Sequence, residues 1–153
     1  MISDKRAGFS LIELLMAVSI VGILAGLAIP NLRGMTYRAR ATEVAADLNA
    51  VRVATQNYVG DQFSWPAEAA QATVPPELVG FLPEGFSFVG NGYELDYENF
   101  SPVVIPGDPT TTQLLAVAVI ADTDELSNAI VELLGTSLIF SAGRKHTVVI
   151  DRN

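Results

Sequence analysis

The chain has 153 residues, no cysteine, and seventeen acids against nine bases, for a formal net charge of −8. Neither a disulfide framework nor a thiolate metal site can be built from it. From residue 53 onward thirteen acids face only Arg144, Lys145 and Arg152, a balance that repels a phosphate backbone and argues against general nucleic-acid binding.

Half the residues are hydrophobic, and the densest apolar run lies at residues 9–30. Residues 1–8 read MISDKRAG, polar and closing on Lys5, Arg6, Ala7 and Gly8. Residues 9–29 then read FSLIELLMAVSIVGILAGLAI, followed by Pro30. A helix of this length spans about 30 Å, the thickness of a bilayer hydrocarbon core. Glu13 is its single ionisable residue. A secretory signal peptide fits poorly, because its apolar stretch is shorter, roughly 7–15 residues, and is followed by a small-residue cleavage site. A plain anchor leaves Glu13 unexplained, since an acid deep in a membrane span costs roughly 2.5–3.5 kcal/mol. A third reading gives the acid a task. Cleavage between Gly8 and Phe9 would create an α-amino group one helical turn before Glu13, and the carboxylate could neutralise that ammonium or a neighbour's. In a low-dielectric surround such pairing selects register between subunits.

Gly8-Phe9-Ser10-Leu11-Ile12-Glu13-Leu14-Leu15 resembles the prepilin cleavage and methylation motif of type IV pilins and type II secretion pseudopilins. The similarity continues through Ala17–Ala25 to Ile29-Pro30-Asn31-Leu32, covering about the first 35 residues. The resemblance implies a leader at 1–8 removed by a membrane prepilin peptidase, and N-methylation of Phe9 by the same enzyme. It also implies that Glu13 meets an adjacent subunit's N-terminus, and that many copies pack residues 9–30 into a filament core. It further implies a bacterial inner-membrane protein with a cytoplasmic N-terminus, handed by an assembly platform into a homo-oligomeric or mixed extracytoplasmic filament. Charge alone does not orient the chain, because Lys5 and Arg6 precede the span and Arg33, Arg38 and Arg40 follow it. Gly22 and Gly26 form a G-x-x-x-G pair that lets helices approach closely. Pro30 removes one intrahelical hydrogen bond, so a bend or loosening is expected near Leu27–Pro30 rather than a helix end at Ile29.

Helical pattern resumes after Pro30, with Leu32, Met35, Ala39, Ala46, Leu48, Val51, Val53 and Ala54 apolar and Ala41–Ala54 rich in helix formers. One long helix is expected from about Ser10 to Val59. Its amphipathic half, residues 31–59, would lie on a sheet and leave a charged stripe of Arg38, Glu43, Asp47 and Arg52 either solvated or in contact with neighbouring subunits. Gly60-Asp61 marks its end, and residues 60–153 make a C-terminal globular domain. Phe63-Ser64-Trp65-Pro66 is similar to an aromatic-proline step found after the long helix of many pilins, with Trp65 a packing anchor. A short helix is expected at Glu77–Gly80. Phe86–Val89 and Tyr93–Tyr97 should pair across a Gly90-Asn91-Gly92 turn. Val103–Ile105 reads as an edge strand or loop, Leu114–Ile120 as a central strand, and Ser137–Phe140 and Thr147–Ile150 as final strands. Between them, Asp122–Gly135 carries a helix with Asp122 or Thr123 as N-cap. The expected fold is α+β and pilin-like: a long N-terminal helix on a small antiparallel sheet of about four strands.

No catalytic constellation emerges. His146 is the only histidine, no G-x-S-x-G turn accompanies it, and it lacks partners for a metal. Asp122, Asp124 and Glu125 could offer oxygens to calcium, which some major pseudopilins bind near their C-terminus. Helix capping explains the same residues, and EF-hand spacing is absent. The resulting expectation is a non-enzymatic filament subunit, type IV pilus-like or alternatively a type II secretion pseudopilin, with a membrane-tethered binding domain as a third possibility.

Overall fold

A computed structural model describes residues 9–100 and 114–152. Helix α1 runs unbroken from Leu11 to Gln62. It therefore continues through residue 30, as the resumed periodicity requires, and overruns Gly60-Asp61. A single exposed glycine costs a helix only about 1 kcal/mol, too little to stop it. The stop comes at Phe63, whose amide closes the last turn on the Val59 carbonyl at 2.9 Å while its φ of 52° turns the chain out of the helix. The chain divides into two compact units, one ending at Thr36 and the other beginning at Tyr37.

In the second unit, α1 buries Ala41, Val44, Leu48, Val51 and Ala54. These steps of three and four residues define a single helix face. Of the apolar residues singled out from sequence, Leu48, Val51 and Ala54 lie on it. Leu32, Met35, Ala39, Ala46 and Val53 are exposed instead. The sheet has the order β1-β2-β4-β3 and is antiparallel throughout: β1 Tyr93–Phe100, β2 Leu114–Ala121, β3 Leu138–Ala142 and β4 Lys145–Arg152. Leu114–Ala121 is thus an interior strand, as its continuous apolar run suggests. Period-two alternation sends Tyr93, Leu95 and Tyr97 of β1 and Leu115, Val117 and Val119 of β2 into one core with the buried face of α1.

The outer face of the sheet is tied across β2 by charge. Lys145 of β4 reaches Asp96 at 3.0 Å and also Glu98, both on β1. Ala116 and Ala118 pair with Glu98 and Asp96 respectively and lie beneath this bridge; both are fully buried. Short side chains there let the lysine cross the intervening strand. The two acids hold the Lys145 ammonium above its ordinary pKa, Glu98 contributing most.

Helix α2 spans Asp124–Leu134. Thr123 is its N-cap, accepting the Leu126 amide, and Asp124 and Glu125 occupy the first turn as expected. Two local readings change. The short helix is a 3₁₀ turn at Pro76–Leu78. Phe86–Val89 forms no strand: only Val89 bridges to Glu94, with the Leu95 amide donating to the Phe88 carbonyl at 2.8 Å. The donors of this segment are consumed locally, the Phe86 amide by the Pro83 carbonyl and the Val89 amide by the Ser87 hydroxyl. Residues Val103–Ile105 lie outside the described residues.

Candidate functional site

Of the candidate residues read from sequence, Phe9 and Glu13 lie at the start of α1. Ser10 and Glu13 stand in an S-x-x-E spacing, and the structure closes it from both sides. The Ser10 amide donates to Glu13 Oε2 at 2.9 Å, and the Glu13 amide donates to Ser10 Oγ at 3.3 Å. This is a reciprocal capping box: each residue satisfies a backbone donor that the helix start leaves without an intrahelical acceptor. The S-x-x-E spacing that signals the box is local, but inside an apolar run the same carboxylate also reads as a charge in need of a partner. A carboxylate has about four lone-pair sites, so the Ser10 amide leaves capacity for an incoming cation. Gly8, the residue on which cleavage is expected, lies outside the described residues. Phe9 is 89% exposed.

From Phe9 to Ile29 every leucine, isoleucine, valine and methionine is more than half exposed in the isolated chain. Exposure of this extent is unfavourable in water at roughly 25 cal/mol per Å² of apolar surface. The segment therefore needs lipid or sister helices around it. Its length and composition suffice to cross a membrane, with a mean hydropathy of 2.4 over the most apolar window. A Cβ built on Gly22 or Gly26 meets nothing within 4 Å. Neither glycine is required by packing inside the chain, which leaves both for close approach of another helix.

The charged stripe on the second half of α1 is only partly solvated. Asp47 accepts the Tyr93 hydroxyl, and Arg52 donates to the Val149 carbonyl at 3.4 Å. Arg38 pairs loosely with Glu132 at 3.4 Å, and Glu43 is exposed. Burial and the Asp47 carboxylate both push the Tyr93 phenol well above its usual pKa, so it stays a donor. Trp65 packs, partly buried, against the core, the anchoring role expected of it.

The acidic cluster at the start of α2 has contacts to Arg144 at two of its residues. The Asp122 carbonyl accepts from Arg144, and Asp124 lies 3.9 Å from the Arg144 guanidinium. Among the described residues no group of three or more His, Asp or Glu is placed to hold a metal ion. His146 is buried in β4, with Nε2 at 2.7 Å from Ser127 Oγ and Nδ1 at 2.9 Å from Ser141 Oγ. Its partners are hydroxyls, and among the described residues no carboxylate bonds to it to orient it as a base.

An apolar helix opened by a Ser-x-x-Glu box and continuing into an antiparallel α+β domain defines the pilin-like architecture. Residues 3–29 match the family described as the prokaryotic N-terminal methylation motif. The chain is 30% identical to the type II secretion system core protein G of Escherichia coli (strain K12), over 55% of this chain and 63% of that protein. It is 31% identical to the fimbrial protein EcpC of Eikenella corrodens, over 52% of each. It is 32% identical to the type IV major pilin protein PilA of Myxococcus xanthus (strain DK1622), over 54% of this chain and 34% of that protein. The matches thus span less than two thirds of the length of these relatives. No solved structure matches the chain.

Proposed function

We propose that the chain is a structural subunit of a type IV pilus-like filament, matured by prepilin peptidase cleavage after Gly8 and N-methylation of Phe9. The observation that carries this is an apolar helical stretch whose large side chains are all exposed from Phe9 to Ile29, with one carboxylate a single turn from Phe9. In this reading the leader is residues 1–8 and the membrane and filament-core helix is residues 9–30. Residues 31–59 form the amphipathic stem and residues 60–153 the extracytoplasmic domain. The precursor spans the inner membrane once, with its N-terminus cytoplasmic, and an assembly platform passes it into a homo-oligomeric or mixed filament. Glu13 then accepts a neighbour's N-terminal ammonium while keeping its Ser10 amide, and the pairing sets the axial register. Gly22 and Gly26 supply the helix-packing face, and Pro30, which deprives the Gly26 carbonyl of its donor, supplies flexibility. The role is structural and involves no reaction and no cofactor.

The second reading is a pseudopilin that drives protein export. The similarity to type II secretion core protein G favours it, as does the absence of the cysteine pair that closes the C-terminal loop of many pilins.

Mass spectrometry of the native protein tests maturation: a chain beginning at N-methylated Phe9 is expected, and an intact Met1 start overturns the reading. Gly8→Ala should block leader removal. Glu13→Leu should give a processed, membrane-bound protein absent from filaments, and normal filaments from that strain would contradict the pairing.

A further inference from the structure

Tyr97 of β1 and Thr55 of α1 meet in the core of the second unit, and both are buried, at 0% and 1% exposure. Glu77, in the 3₁₀ turn at Pro76–Leu78, is half-buried, with its Oε2 shut off from solvent. Burial pushes the Tyr97 phenol above its usual pKa; the approach of Thr55 counters part of that rise, and the Glu77 carboxylate and Tyr58 add to it. Thr55 and Glu77 are therefore neighbours of the same phenol. Yet among the described residues no hydrogen-bond geometry is met at Tyr97 Oη, Thr55 Oγ1 or Glu77 Oε2. A buried hydroxyl or carboxylate oxygen left unbonded is costly, and folded proteins keep few of them.

The segment that carries Glu77 is tied directly to β1 at two other points. The Ala72 amide donates to the Leu95 carbonyl at 2.9 Å, and Asn99 Nδ2 donates to the Pro66 carbonyl at 2.9 Å. Leu95, Tyr97 and Asn99 follow one another on the same strand face. Tyr97 is the middle position of that row, and its hydroxyl makes no direct bond to the segment. Polar atoms that are neighbours without meeting are the setting in which a water molecule bridges. The chemistry suits it: two hydroxyls that can donate stand beside a carboxylate oxygen that accepts. A cation fits less well, because only one of the three groups can carry negative charge and hard cations take six or more oxygens.

We infer that one internal water molecule is bound between Tyr97 Oη, Thr55 Oγ1 and Glu77 Oε2, accepting from the two hydroxyls and donating to the carboxylate. Three hydrogen bonds are the usual number for an internal water. The site joins α1, β1 and the 3₁₀ turn at one point, so it fastens the segment between helix and sheet to both. It is independent of how the chain assembles.

The experiment uses the full chain in detergent. A crystal structure at a resolution that shows ordered water should place one within about 3.2 Å of all three atoms. In solution, oxygen-17 relaxation dispersion should count one long-lived water fewer in the T55V/Y97F double variant, whose side chains keep nearly the same shape. E77Q keeps an acceptor oxygen and should retain the water. A shared ligand also makes the two deletions non-additive, so T55V/Y97F should lower the melting temperature by less than the sum of T55V and Y97F. Direct contact between the hydroxyls and the carboxylate in the wild-type crystal overturns the site, whether or not the variants fold. An unchanged water count in a folded double variant overturns it as well. A melting temperature raised by calcium in the wild type but not in T55V/Y97F would put a cation there and overturn the water.

Discussion

His146 is locked between Ser127 of α2 and Ser141 of β3, and its neutral form suits that place. Either tautomer can be satisfied, because a hydroxyl both donates and accepts. Burial pushes the imidazole pKa below its ordinary value of 6.5. The sign follows by linkage. Above 6.5 the folded and unfolded chains are both neutral at this residue and nothing is lost; as the pH falls below 6.5 the unfolded chain takes up a proton that the folded one refuses, and stability declines. The unfolding midpoint should therefore drop between pH 6.5 and 5, before most carboxylates begin to titrate. His146→Gln should flatten that limb, and thermal melts across the range check it. Gly90 is constrained differently. A Cβ there would stand 2.2 Å from the Tyr93 ring, which is buried and bonded to Asp47. Gly90→Ala must move that ring or the turn, and a loss of about 1–3 kcal/mol is expected in urea unfolding. The turn glycines were legible in the sequence. The tyrosine pressed against one of them was not, because its partner Asp47 lies 46 residues away.

At the level of elements, legibility followed the locality of the signal. The start of α2 was readable because Thr123, Asp124 and Glu125 act within one turn, and the structure makes Thr123 the cap. Thr123→Ala should cost about 1 kcal/mol, measurable as a lowered urea midpoint with an unchanged slope, since the surface exposed on unfolding stays the same. The end of α1 lies beyond the Gly60-Asp61 that composition offers as a stop, because the backbone uses Phe63 to make one. The charged stripe departs from the sequence expectation at two of its four residues, for a related reason. Asp47 and Arg52 look like surface charges on an isolated helix, and only the sheet that reaches them through Tyr93 and Val149 turns them inward. Phe86–Val89 had the composition of a strand, but Pro83 and Ser87 diverted its donors. The Ser10–Glu13 box was fully local, and its capping role is independent of any assembly role for Glu13.

At the level of the whole chain, the core and the exposed apolar helix occupy separate stretches of sequence. Among the described residues, every member of the buried core falls between Ala41 and Val148, while the large exposed apolar side chains run densely from Phe9 to Met35. The second unit, from Tyr37 onward, contains the whole sheet, α2 and the face of α1 that covers them. Stability of the domain should therefore not depend on the first 36 residues, whereas solubility should. A chain beginning at Tyr37 should be soluble without detergent and monomeric by size-exclusion chromatography, since it sheds the apolar surface that demands lipid or sister helices. It should also unfold in one cooperative transition, as a single-core domain of this size does. The full chain should need detergent, and once solubilised its domain should melt within a few degrees of the truncated form. A truncated chain without a cooperative melt would mean that residues before Tyr37 take part in the domain's folding. The division of labour between a helix that waits for partners and a domain that folds unaided would then be lost.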